Sequence, residues 1–160
     1  MRTAFVVNRH TLRRSWEHRP EELGDRATFY VDGGAWPTNP GHGGIGVVAV
    51  PEAGGRFTES SYLGNCVTNN AAEYAAVMRA LELAVEFRLA YVSIRSDSQL
   101  VVRQLNGEYV TRKFELDRLR EEFWKKARQF ASVEVLWIPR EQNVEANALV
   151  KELHRYDWGP

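Results

Sequence analysis

A single cysteine, Cys66, leaves no partner for an internal disulfide and too few thiols for a cysteine-built zinc site. It is expected to be a small packed residue, not a reactive thiol. Net charge is missing as well. Lys plus Arg and Asp plus Glu stand at 21 each, so no overall cationic field draws a polyanion, and any such site must come from local arrangement. No apolar run approaches the roughly 18 residues that span a bilayer. The apolar stretch within the opening MRTAFVVNRHTLRRSWEHRP is too short for a signal-peptide core. Internal repeats and low-complexity tracts are absent too. What is present, 160 residues of which 44% are hydrophobic, suffices for one core and not two. The expectation is a single-domain cytoplasmic protein with no membrane contact and no obligate protein partner.

Residues 1–26 carry Arg2, Arg9, Arg13, Arg14, Arg19 and Arg26 and read as a basic extension. The pattern then changes to the domain proper, 27–155, with 156–160 as a tail. Thr28 to Val31 is β-branched and aromatic, a first strand ended by Gly33 and Gly34, and a loop with Pro37, Pro40, Gly41, Gly43 and Gly44 follows. Ile45 to Val50 and Phe57 to Leu63 are two more strand-like runs, and their short connections predict an antiparallel meander. Thr68 or Asn69 is a natural helix cap. Tyr74, Val77, Met78, Leu81 and Val85 then recur at three- and four-residue steps, which predicts an amphipathic helix to about Phe87. Strands at Tyr91–Ser96 and Val133–Ile138 and helices over about 98–105, 114–130 and 142–154 complete the order βββαβααβα. Such an order implies an α/β fold, one five-stranded mixed sheet flanked by helices.

Three acids fall where this arrangement can gather them. Asp32 and Asp97 stand at strand ends, the usual place for sites in open α/β folds, and Glu73 is on the first turn of the helix between them. Taken singly, each reads as well as a helix cap or a solvated acid, Glu73 especially, since acids are favoured near a helix N-terminus. Their surroundings are more specific. Asp32 is followed by Gly33-Gly34, then by Asn39-Pro40-Gly41 and Gly43-Gly44-Ile45-Gly46. Glu73 closes Thr68-Asn69-Asn70-Ala71-Ala72-Glu73, and Asp97 opens Asp97-Ser98-Gln99.

In these motifs, in this order and at about these separations, the chain from about Ala27 to about Leu153 resembles type 1 ribonuclease H. The resemblance implies the ribonuclease H-like fold and an endonuclease that cuts the RNA strand of an RNA–DNA hybrid with two divalent ions, Mg²⁺ or Mn²⁺. A pair of such ions about 4 Å apart can activate water, neutralise transition-state charge and assist the departing oxygen. Hard cations of this kind call for clustered oxygen ligands. Asp32, Glu73, Asp97 and the residue at position 147 are the implied metal and catalytic set. Gly33, Asn39, Thr68, Asn69, Asn70, Gln99 and Arg140 are the implied substrate contacts. The asparagines and Gln99 would reach the minor groove, where 2′-hydroxyls distinguish RNA from DNA, and Thr68 would help to hold a phosphate. Asn39, Asn69 and Asn70 are also good turn or cap residues in their own right.

The chain departs from the family pattern at its last acid. In a sequence resembling R-E-x-N-x-x-A-D, position 147 is Asn147. An amide oxygen can ligate a hard cation but brings no charge, and Glu145, about 200° round a helix from that position, faces away. A natural variant of a working site, an engineered substitution and a paralogue that binds without cutting all fit this residue. The basic protrusion and the catalytic-histidine loop of well-studied bacterial members are missing. None of His10, His18, His42 and His154 stands where that histidine would, so product departure falls to water or Arg140. Alternatives to the leading reading are a hybrid-binding protein with little or no turnover and, fitting less well, an exonuclease or integrase-like nuclease.

Overall fold

The computed structural model describes residues 11–108 and 114–159. The readings at Arg2, Arg9 and His10 lie outside them. Among the described residues six strands form one mixed sheet: β1 (Arg13–Glu17), β2 (Arg26–Trp36), β3 (Gly41–Pro51), β4 (Arg56–Val67), β5 (Tyr91–Ser96) and β6 (Ser132–Trp137). The described helices are α1 (Asn69–Glu86), α2 (Gln99–Leu105), α3 (Phe114–Ala127) and α4 (Val144–Leu153). The strand order is β1-β4-β3-β2-β5-β6. β2, β3 and β4 make the expected antiparallel meander, and β5 and β6 add to β2 in parallel.

Alternation along β2 and β3 explains the layers. Ala27, Phe29 and Val31 alternate with half-buried residues and turn to the core shared with α1, where Tyr74, Val77, Leu81 and Leu83 are buried. In the β2–β3 register Gly33 faces Ile45 and Asp32 faces Gly46. Gly33 lies against Ala72 of α1, and Gly46 against Ala146 and Leu149 of α4. The two helices therefore cover opposite faces of the sheet, and Asp32 belongs to the face of α4. The buried residues of α4, Ala146, Asn147, Val150 and Leu153, form the stripe that meets it. No described helix is long and apolar enough to cross a membrane.

Three expectations are corrected. The sheet has six strands instead of five, because Arg13–Glu17, read as extension, pairs antiparallel with β4 from Arg13↔Ser60 to Glu17↔Arg56. Trp16 packs on Phe57 and Phe87, with ring centroids 5.2 and 5.5 Å away. Glu59, 1% exposed, takes two hydrogen bonds from Arg79 at 2.5 and 2.9 Å and pairs with Arg14 of β1 at 3.3 Å. Second, β2 does not stop at Gly33-Gly34 but runs to Trp36, because the glycines of β3 continue the pairing opposite. Asp32 is thus in mid-strand. Third, Cys66 is exposed, with a φ of 58°, and is not a packed residue.

Candidate active site

The parallel register of β2 and β5 ends at Val31↔Ser96. One step further along each strand are Asp32 and Asp97, which the pairing sets side by side. Glu73 comes from α1, which approaches β2 at Gly33 so closely that an added Cβ would lie 2.2 Å from the Ala72 carbonyl oxygen and 2.7 Å from the Glu73 nitrogen. Carboxylate oxygens of Asp32, Glu73 and Asp97 all lie within 4.8 Å of one another. Asp32 is buried, and the other two are half-buried.

Crowded acids in a poorly solvated place resist losing all their protons. Burial, reinforced by the Asp97 charge, pushes Asp32 up to about 7 from 3.8; Arg140, the Gly33 amide and a hydrogen bond from Glu73 oppose the rise. Glu73 is raised well above the ordinary carboxylate range, by burial first and then by the charges of Asp32 and Asp97. Arg140, on a 3₁₀ turn (Arg140–Gln142) before α4, is exposed and is the cation whose field reaches both Asp32 and Glu73.

Around this cluster the substrate-side residues fall into place unevenly. Asn39 Oδ1 accepts from the Asn69 amide at 3.0 Å, and Asn69 Oδ1 accepts from Ala35 N at 2.8 Å. With their carbonyl ends held by the backbone, both exposed side chains have NH₂ groups to offer. Thr68 caps α1, its Oγ1 accepting from Ala71 N at 3.1 Å, and Asn70 is half-buried on the first turn. Gln99 is exposed at the start of α2, which Ser98 caps. Gly33 is buried under α1, so its place is in packing that helix and in the amide it turns to Asp32. Glu145 pairs with Arg56 on the surface, away from the cluster as expected. Of the histidines, His42 Nδ1 is 2.7 Å from the Tyr62 hydroxyl and His154 lies tilted against Trp36 with ring centroids 4.2 Å apart; neither joins the acids.

Asn143 was only a spacing marker in the sequence, and its contacts were missed. It is 1% exposed, and its Nδ2 donates to Val31 O at 2.8 Å and to Asp97 Oδ2 at 3.4 Å. Trp137, 45% exposed, donates its indole N–H to the Asp97 carbonyl at 3.2 Å. Asn147 stands one helical turn after Asn143 on the same face of α4, its amide bonded to Asn143 O at 3.1 Å and its side chain 7% exposed. Glu73 Oε2, Asn143 Oδ1 and Asn147 Oδ1 are buried acceptors with no hydrogen-bond partner among the described residues. Buried polar atoms ordinarily find partners. A spare oxygen within the carboxylate cluster, Glu73 Oε2, and the spare amide oxygen of Asn143, which bonds Asp97, are the kind of acceptor a hard divalent cation and its water shell satisfy.

Residues 30–153 match the family model described as Reverse transcriptase-like. Ribonuclease HI of Halobacterium salinarum is 37% identical over 131 residues, 82% of this chain and 65% of that one. A bifunctional protein of Mycobacterium tuberculosis is 32% identical, with 79% of this chain matched. The chain thus spans 65% and 35% of the lengths of these two relatives. Among solved structures, RNase H1 from Halobacterium salinarum superposes with a TM-score of 0.76 at 36% identity, covering 82% of this chain and 99% of that one. LC11-RNase H1 in complex with RNA/DNA hybrid does so with a TM-score of 0.72 at 38% identity, covering 79% and 94%. Fold, carboxylate cluster and relatives coincide over the same residues, and the chain belongs to the type 1 ribonuclease H family.

Proposed function

We propose that this protein is an endonuclease that hydrolyses the RNA strand of RNA–DNA hybrids, leaving 5′-phosphate and 3′-hydroxyl ends, with Mg²⁺ or Mn²⁺ as cofactor. The observation that carries the reading is the cluster of Asp32, Glu73 and Asp97, with carboxylate oxygens mutually within 4.8 Å and Asp32 held up to about 7. Acids packed this closely repel each other without a counter-charge, and their residual protons are what a cation displaces. Asp32, Glu73 and Asp97 would hold the ions, and Asn147 would add a neutral oxygen. Two divalent ions supply an activated water and neutralise charge on the phosphoryl oxygens.

The chain's own residues do the rest. The Asn39 and Asn69 amides, their oxygens held by the backbone, would donate with Asn70 and Gln99 to ribose hydroxyls and base edges of a minor groove. Arg140 sets a permanent positive charge beside the acids, able to draw a phosphate in and to steady the departing end. Support for the substrate class comes from the hybrid named with LC11-RNase H1.

The second reading, a hybrid-binding protein with little or no turnover, is favoured by one observation, the uncharged amide at Asn147. An end-labelled hybrid incubated with Mg²⁺, with Mn²⁺ and with chelator separates the two. Cleavage in either metal and none in chelator is the expected result. Tight binding without cleavage in both metals establishes the second reading instead.

A further inference from the structure

We propose that Asn143 is a positioning residue of the carboxylate site, tying the Asp97 side chain to the backbone of β2 and to the start of α4. The inference rests on the metal-dependent reading above and extends it to a residue that is not itself one of the carboxylates. Its first support is what Asn143 does not do. Asparagine at the residue before a helix ordinarily turns its side-chain oxygen back to accept from a free N–H of the first turn. Asn143 occupies that position before α4 but makes no side-chain cap bond. Its amide reaches into the site instead, donating to Val31 O at 2.8 Å and Asp97 Oδ2 at 3.4 Å.

The second support is what those bonds join. Val31 immediately precedes Asp32 on β2, Asp97 follows β5, and the carbonyl of Asn143 accepts from Asn147 N at 3.1 Å. One residue, 1% exposed, therefore touches all three elements that carry Asp32, Asp97 and Asn147. Partners that orient ligand side chains in this way set the geometry a cation meets. Third, Asn143 Oδ1 is a buried acceptor without a partner. A water in the shell of a bound cation is a donor that would satisfy it, so the amide serves the empty and the filled site with different ends.

Two substitutions separate positioning from folding. Serine and aspartate are both good helix caps, so Asn143→Ser and Asn143→Asp restore the forgone cap and are expected to melt cooperatively. Serine falls short of Asp97, and aspartate replaces the donor with an oxygen that repels it. Thermal stabilisation by Mn²⁺ is titrated for the wild type and both variants, alongside hybrid binding in chelator and kcat and KM with Mn²⁺. Both variants should need about ten- to a hundredfold more Mn²⁺ for half-maximal stabilisation, with lower kcat at limiting metal and with KM and hybrid affinity in chelator unchanged. Folded variants whose Mn²⁺ midpoint equals that of the wild type would overturn the positioning role alone. A wild type that Mn²⁺ neither stabilises nor activates would overturn the metal-site reading, and this inference with it.

Discussion

Gly33 and Ala72 are in a contact that only glycine permits: a Cβ on Gly33 would stand 2.2 Å from the Ala72 carbonyl oxygen. That approach presses the first turn of α1 onto β2 and delivers Glu73 to Asp32. The neighbouring glycine is different, since a Cβ on Gly34 would meet nothing nearer than 3.8 Å.

Gly33→Ala should therefore displace α1, destabilising the fold by about 1–3 kcal/mol or more, as overpacking does, and abolishing cleavage. Gly34→Ala should be tolerated in stability. Urea denaturation and hybrid cleavage of the two variants side by side provide the check. Equal effects of the two substitutions would mean that the helix relaxes away without consequence for the site.

Metal-free stability should fall as pH rises from about 4 to about 7. Asp32 titrates near 7 in the folded chain against 3.8 as its ordinary value. Between those values the folded state holds a proton that the unfolded state has lost, so raising the pH favours unfolding. Glu73, raised for the same reason, adds to the slope. Divalent metal should remove the decline by replacing the proton. Asp32→Asn should abolish cleavage yet raise the melting temperature in chelator at pH 8. Melting curves across pH, with and without Mg²⁺, test this; a metal-free melting temperature that climbs from pH 5 to pH 8 would contradict it.

β1 should be part of the folding unit and not a detachable extension. Trp16→Ala removes the ring that covers Phe57 and Phe87. A fully buried tryptophan costs about 3–5 kcal/mol on such truncation, and Trp16, half-buried, should cost less but still clearly lower the denaturation midpoint. Glu59→Ala leaves the Arg79 guanidinium, 12% exposed, without its bidentate partner, a loss of about 3–5 kcal/mol for a buried pair. Denaturant titration of both variants gives the measurement. Stability unchanged in both would return residues 13–17 to the status of a tail.

The fold's later half and the three acids were legible in the sequence because each lies in a local pattern: the three- and four-residue periodicity of α1, the alternation of Val92 and Ile94 with polar residues in β5, the glycines after Asp32. What escaped was set by distant partners. Arg13–Glu17 offers one apolar residue, Trp16, among charges, and becomes a strand only because Glu59 and Phe57 on β4 and Glu86 and Phe87 near the end of α1 receive it. Gly33-Gly34 reads locally as a stop, yet the strand continues because Gly43 and Gly44 of β3 pair opposite, and α1 needs the room at Gly33. Asn143 only marks a spacing in the sequence, and the folded chain brings the Asp97 carboxylate within its reach.

Asn147→Asp should raise activity in Mg²⁺ and lower the metal concentration for half-maximal rate. Asn147 is 7% exposed on the face of α4 that carries Asn143, and its Oδ1 is buried with no partner. The substitution keeps that oxygen's position and adds a charge beside any cation the acids hold. Correct ion placement is worth several kcal/mol of transition-state stabilisation, and about 1.4 kcal/mol is already tenfold in rate. The same charge worsens the repulsion that holds Asp32 up, so the variant should be less stable than the wild type in chelator at neutral pH and regain stability with metal. The two effects have one cause and should appear together in melting curves and in metal-dependent cleavage. Mg²⁺ activity equal to or below that of the wild type, in a variant that melts cooperatively, would mean that the neutral amide is the better ligand for this site and that the residues around it have adapted to its NH₂ group.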